Sequence, residues 1–214
     1  MFTVQVFTFR AIQENTYLLI NERQEGIVID PGCYDDDERQ TLADFFTQNG
    51  VQPKLLLQTH CHLDHVFGTR WLAGAYSLVP HLHPLEEEVL QMAPVFGLEW
   101  GLPMDSYQGP LAYLEDGATL TFGDDRLEVL FVPGHSPGHL CFYCAAQKFV
   151  IGGDVLFRES IGRTDLPGGS YPTLIRSIRE RLFTLPDDTV IYPGHGPETT
   201  IGYEKRYNPF LRLD

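Results

Sequence analysis

Three imidazoles and a carboxylate fall within six positions of the run Thr59-His60-Cys61-His62-Leu63-Asp64-His65. Neutral imidazole and carboxylate are the side chains that zinc and similar divalent cations take as ligands. Pro53 to Gln58, just before it, reads as a buried strand, and Val66 to Ala75, just after it, as the start of a helix. The cluster therefore falls on a strand-end loop, where a rigid scaffold aims several side chains at one point. With a side-chain period of two, His60 and His62 share a side, while Asp64 and His65 turn toward a second point close by. One loop can feed two cations.

Further donors stand at other strand ends. His135 lies in Pro133-Gly134-His135-Ser136-Pro137-Gly138-His139, Asp154 in Ile151-Gly152-Gly153-Asp154, and His195 in Tyr192-Pro193-Gly194-His195-Gly196. Each follows a short β-rich run and sits at a Gly or Pro turn. Five histidines and two aspartates give three ligands to each of two cations, with one carboxylate shared. That leaves an open position for water, which separates a catalytic metal site from a closed structural one.

On these motifs, in order and spacing over nearly all 214 residues, the chain resembles the metallo-β-lactamase-fold hydrolases. Gly162-Arg163-Thr164-Asp165 with Gly168-Gly169, and Tyr192-Pro193-Gly194-His195-Gly196-Pro197, make it most similar to the short glyoxalase II-like proteins. The resemblance implies an αββα four-layer sandwich. It implies that His60, His62 and His135 hold one metal, that Asp64, His65 and His195 hold a second, and that Asp154 bridges them. It also implies a single domain over residues 1–214, without the C-terminal helical domain of full-length glyoxalase II, since only 19 residues follow His195. The implied cofactors are two divalent cations, zinc first, with iron or manganese as the other candidates.

Composition is consistent with a soluble enzyme. At 214 residues and 43% hydrophobic, the chain can bury one large core. The net charge of −14 counts against a nucleic-acid partner, because phosphate binding needs a basic face. This matters because RNA-processing nucleases share the H-x-H-x-D-H motif. No apolar run reaches the ~18 residues of a membrane span. The start, Met1 to Val6, lacks the features of a signal peptide, and the four cysteines do not form a dense disulfide pattern. The expected location is the cytoplasm, as a monomer or homodimer, which weighs against antibiotic hydrolysis because the lactamases of this fold are exported.

The elements read as two similar halves. Strands are expected at 2–9, 16–21, 26–30 and 54–58, and near 77–79, with helices at 36–48 and 65–74. Pro84-Leu85-Glu86-Glu87-Glu88 opens another helix. Residues 94–112, with Phe96, Trp100 and Tyr107, read either as an aromatic flap over the site or as a packed crossover loop. The second half carries strands near 118–122, 126–132, 140–145, 148–152 and 189–192, and a helix over 172–183. Strands in runs with helices outside give two sheets packed face to face under two helical layers.

Competing motifs are weaker. Gly134-His135-Ser136-Pro137-Gly138 matches G-x-S-x-G, but a nucleophile elbow needs a following helix and an N–H on the next residue, and Pro137 has none. Cys141 and Cys144, three apart on a strand, face opposite sides. Cys61 points away from its histidine neighbours. His83 caps or packs at a helix start, and His139 at most orients a ligand.

The chemistry follows from the donors. Two cations sharing a water lower its pKa from about 15.7 toward roughly 7, so a bridging hydroxide can attack. Asp64 and Asp154 are the carboxylates expected to serve that step. A thiolate leaves with a pKa near ~8.5 and needs no protonated acid. An amine would need one, and no donor stands near these motifs. A small-molecule thioester is therefore expected ahead of lactones or phosphoesters and well ahead of amides, and the resemblance to glyoxalase II implies S-D-lactoylglutathione. Arg163 matches the family's basic residue after the bridging aspartate. Asp165 stands where a phenol is expected, and Gly196-Pro197-Glu198 lacks the usual aromatic. Tyr203 and Lys205, with Arg206 and Tyr207, either replace those thiol contacts or belong to an ordinary terminal helix. The alternative of another class is an iron-dependent persulfide dioxygenase of the same fold. It would use His60, His135 and Asp154.

Overall fold

Alternating apolar residues decide which sheet face each side chain covers. The computed structural model describes residues 1–212. In chain order the elements are β1 (Thr3–Phe9), β2 (Glu14–Ile20), β3 (Glu25–Ile29), α1 (Asp36–Asn49), β4 (Gln52–Leu57), α2 (Leu63–Val66), α3 (Thr69–Tyr76), β5 (Pro80–Leu82), α4 (Glu86–Glu99) and β6 (Ala112–Tyr113). The second half runs β7 (Thr119–Phe122), β8 (Asp125–Phe131), β9 (Leu140–Cys144), β10 (Phe149–Gly153), β11 (Leu156–Phe157), β12 (Ser160–Ile161), α5 (Tyr171–Ser177), a π-helical turn (Ile178–Leu182), β13 (Val190–Pro193), β14 (Thr199–Thr200) and α6 (Ile201–Tyr207).

One sheet has the order β1-β2-β3-β4-β5-β6 and the other β14-β13-β10-β9-β8-β7. Leu19, Ile27, Ile29 and Leu57 of the first sheet meet Leu127, Val129, Leu140, Phe142 and Ile151 of the second in one buried cluster. Their neighbours point the other way. Leu18, Val28 and Leu56 pack under Leu42, Phe46 and Leu72 of α1 and α3. Leu130, Cys141, Val150 and Ile191 pack under Leu174, Ile178, Leu182 and Ile201. Period two thus builds an αββα sandwich. Every residue of β2, β9 and β10 is buried, as expected of central strands when both sheet faces are covered.

Several expected boundaries move. The expected 65–74 helix is two helices, because Gly68 N–H donates to Pro31 O at 2.7 Å rather than to the preceding turn. The strand expected near 77–79 is β5 at Pro80–Leu82, because Ser77 takes a left-handed φ of 56° and caps α3 on Ala73 O. The loop expected from 94 is helical to Glu99, with Pro94 inside α4. Pro94 cannot donate to the carbonyl of Leu90, and Ser106 Oγ donates to that oxygen instead, at 2.7 Å. The expected 172–183 helix ends as α5 and continues as the π turn. No helix among the described residues is long and apolar enough to cross a membrane.

Candidate metal centre

The sequence-predicted donors lie at the C-terminal ends of strands whose directions agree. β3 and β4 are parallel, and so are β10 and β13. His60 follows β4, His135 follows β8, Asp154 follows β10 and His195 follows β13, and Asp30, not predicted from sequence, follows β3 at the same rim. Close approach at this rim requires glycine. A Cβ on Gly194 would stand 2.1 Å from Asp154 Oδ1.

The structure draws the predicted donors into two groups, and Asp30 forms a further triad with His60 and His65. Single nitrogens of His60, His62 and His135 lie within 4.8 Å of one another, as do donor atoms of Asp64, His65 and His195. Asp154 touches both. Its carboxylate oxygens lie 3.6 Å from His135 Nε2, 3.4 Å from His65 Nε2 and 3.5 Å from His195 Nε2.

The outer nitrogens decide what the inner ones can do. His135 Nδ1 donates to Arg163 O at 2.8 Å. Thr59 Oγ1 gives its proton to Asp30 and so accepts from His60 Nδ1, at 3.0 Å. The Nε2 atoms of His60 and His135 therefore bring two lone pairs together at 3.2 Å, with His62 Nδ1 2.9 Å from the latter. Burial, with the neighbouring His65, holds His60 well below its usual range, and burial beside His135 pushes His62 down to about 3. These imidazoles stay neutral and face one another, an arrangement that a cation between them resolves.

In the second group His65 Nδ1 donates to Asp30 at 3.0 Å and His195 Nδ1 to Gln13 O at 3.1 Å. Their Nε2 atoms face carboxylates, and His195 Nε2 is 3.0 Å from Asp64. The buried His65 Nε2 and Asp154 Oδ1 make no hydrogen bond despite their proximity. Burial opposes charge on His65, but Asp154 and Asp64 outweigh it and raise the imidazole well above its usual range. His65 in turn overcomes the desolvation of Asp154 and holds that carboxylate low. A positive charge belongs here, supplied by protons or by a metal ion. The donor set of both groups thus fits divalent cations.

Two supporting residues, Asp30 and Glu86, escaped the sequence reading, and a third, His139, is expected at most to orient a ligand. Asp30 accepts from Thr59 N, Thr59 Oγ1 and His65 Nδ1 while holding a left-handed φ of 52°, strain of the kind that collects at functional sites. Its setting in Ile29-Asp30-Pro31-Gly32 repeats the strand-then-turn pattern of Asp154, which was the available signal. Glu86, fully buried, accepts from Cys61 N, Ser136 Oγ and Gly138 N, clamping the His60 loop to the His135 loop. In sequence it is an ordinary first-turn acid. His139 Nε2 accepts from Asp154 N at 3.1 Å and its ring stacks on His60.

Other expectations resolve plainly. Ser136 is committed to Glu86 and a strand follows it. Cys141 and Cys144 enter different core clusters, Cys61 packs in a third, and all four are free thiols. His83 stacks on Phe131 and accepts from Leu85 N. Phe96 and Trp100 line the cleft above the two groups, but from α4 and its C-cap rather than from a flap, and Tyr107 packs in the cluster under α1. Arg163 lines the same cleft and is held bidentate by Asp165 at 2.7 and 2.8 Å. Tyr203 and Lys205 lie on α6, bonded to Glu159 and Asp187, and neither lines the cleft.

Residues 10–195 match the Metallo-beta-lactamase superfamily. The chain is 38% identical over 201 residues to the probable metallo-hydrolase YqgX of Bacillus subtilis, covering 94% of this chain and 93% of that protein. It is 36% identical over 210 residues to the hydroxyacylglutathione hydrolase GloC of Haemophilus influenzae, covering 97% of each. Among solved structures it superposes on TTHA1623 in a di-iron-bound form with a TM-score of 0.88 and 41% identity, over 97% of this chain and 100% of that one. Family match, relatives and donor geometry agree, and the chain belongs to the metallo-β-lactamase superfamily.

Proposed function

We propose that this protein is a binuclear metal-dependent hydrolase of acyl thioesters, S-D-lactoylglutathione among them. The observation that carries the reading is the set of inward imidazole nitrogens and two carboxylates at the floor of an open cleft. In this reading His60, His62 and His135 hold one cation, Asp64, His65 and His195 the other, and Asp154 both. When bound, two divalent cations supply an acidified water and polarise an acyl carbonyl. Asp64 and Asp154 would hold the cations and are the floor carboxylates that could accept a proton there. Asp30 and the carbonyls of Arg163 and Gln13 keep the imidazoles aimed. Glu88 is the other carboxyl of the cleft lining among the described residues, and it comes from α4, away from the floor. A leaving group that departs as an anion therefore suits the site, and a thiolate does so with a pKa near ~8.5.

The test is elemental analysis of natively purified protein beside a panel of S-D-lactoylglutathione, a lactone, a β-lactam and glutathione persulfide. We expect about two metals per chain and hydrolysis of the thioester ahead of the lactone and β-lactam. One iron per chain, with oxygen uptake on the persulfide and no thioester cleavage, would overturn the reading in favour of the dioxygenase.

A further inference from the structure

The cleft has two kinds of surface. Its floor is the donor cluster. Its wall is one face of α4 with the residues flanking that helix, Leu85, Val89, Met92, Phe96 and Trp100, spaced at three and four as one helical stripe. Leu85, Met92 and Trp100 keep 53%, 41% and 51% of their surface exposed, so the stripe has no partner within the chain. The cleft measures about 650 Å³, far more than a three-carbon acyl group fills.

Away from the donor floor, charge argues against a polar occupant of the wall. Glutathione carries two carboxylates and an ammonium. The cation of the cleft lining, Arg163, is already bound by both oxygens of Asp165, and Glu88 adds a negative charge to the wall. Polar groups buried there would lose water without gaining partners, whereas an apolar group would cover exposed side chains and gain free energy in proportion to its area.

Resting on the thioesterase reading, we propose that the α4 wall selects thioesters bearing an extended apolar substituent, and that this face, not a glutathione subsite, sets the specificity. The substituent can stand on the acyl or the thiol side of the scissile bond, and two substrate series separate these. One lengthens the acyl chain from acetyl to decanoyl on N-acetylcysteamine. The other keeps acetyl and lengthens an alkanethiol. We expect kcat/KM to climb by up to about fourfold per methylene in one series (~0.8 kcal/mol each), and glutathione thioesters to gain nothing over N-acetylcysteamine thioesters of the same acyl group. Met92→Glu should flatten the climb within its own series. Binding of non-hydrolysable S-alkyl thioethers, read by tryptophan fluorescence, should follow the same length dependence.

Flat profiles in both series, with the acetyl thioester still cleaved, would overturn the inference alone. So would a gain from the glutathione moiety larger than that from chain length. A flat profile together with a dimer that Met92→Glu dissociates would assign the wall to a second copy of this chain. Failure to cleave any thioester would overturn the proposed function and this inference with it.

Discussion

The two donor groups lie side by side yet are built on opposite electrostatic terms. The first faces three imidazoles toward one another, all held below their usual range with burial as the largest cause. The second faces two imidazoles toward Asp64 and Asp154, and both histidines are raised because the carboxylates outweigh burial. The first is therefore a cluster of neutral imidazoles. The second is an anionic pocket whose carboxylates favour positive charge on its imidazoles. A single carboxylate, Asp154, joins a neutral site to a charged one.

The largest break in this contrast is Asp154→Ala. It removes the shared oxygen ligand and leaves His65 facing Asp64 alone. Metal content should fall at both groups, and activity by more than the ~10–100-fold typical of losing an outer-shell partner. Wild-type metal content and rate in this variant would disprove the shared role.

His62→Ala and His65→Ala should separate the groups, each leaving one metal per chain by elemental analysis. They should differ in stability. His62 is only half-buried, whereas losing His65 deprives the buried Asp30 of a donor, at a cost of about 1–3 kcal/mol. For a chain of this size each kcal/mol is roughly 2–4 °C of Tm, so the His65 variant should melt several degrees lower. Asp30→Asn should weaken metal affinity ~10–100-fold at the second group and less at the first, where Asp30 acts only through Thr59. Equal losses in a competitive chelator titration would remove that distinction.

Proton release sharpens the comparison further. Loading the second group at pH 7, in the His62→Ala protein, should expel about one proton or more, and loading the first, in the His65→Ala protein, almost none. Calorimetry in two buffers of different ionisation enthalpy reads this directly. Equal release would mean that the groups do not differ in charge. The same shifts fix the pH response of the metal-free protein. The raised His65 adds stability that is complete below its ordinary value of 6.5 and lost as pH rises through its folded value. The lowered Asp154 adds stability present above its ordinary 3.8 and lost on acidification. The lowered His60, His62 and His135 must stay neutral, so their contribution is lost as pH falls below 6.5, and urea unfolding of metal-free protein should be most resistant near pH 6.5, weakening on either side.

The smallest effect on turnover is expected from Ser136→Ala. It removes a donor to the buried Glu86, about 1.5–3 kcal/mol of stability, and loosens the first group slightly. Turnover should persist, and its loss would revive a serine nucleophile.

Much of this was legible because the donors obey local rules. His60, His62, Asp64 and His65 share one loop, and His135, Asp154 and His195 each end an apolar strand at a turn, so type and spacing alone marked them. Layering was equally legible, since Leu18 and Leu19, or Val28 and Ile29, must part to opposite faces of a sheet. Where local rules compete with distant partners, the sequence misleads. Pro94 reads as a helix stop until Ser106 supplies the donor to Leu90 O. Gly68 divides one expected helix into two because its N–H finds Pro31. Glu86 looks like a first-turn acid until packing closes two metal loops around it, and Tyr203 and Lys205 look available until α6 turns them to Glu159 and Asp187. The sequence by itself marked the candidate donors and determined the sandwich, because both follow from residue type and short-range periodicity. Only the tertiary structure decided which imidazole nitrogens face inward and that the cleft wall is apolar, because both depend on partners brought together from distant parts of the chain.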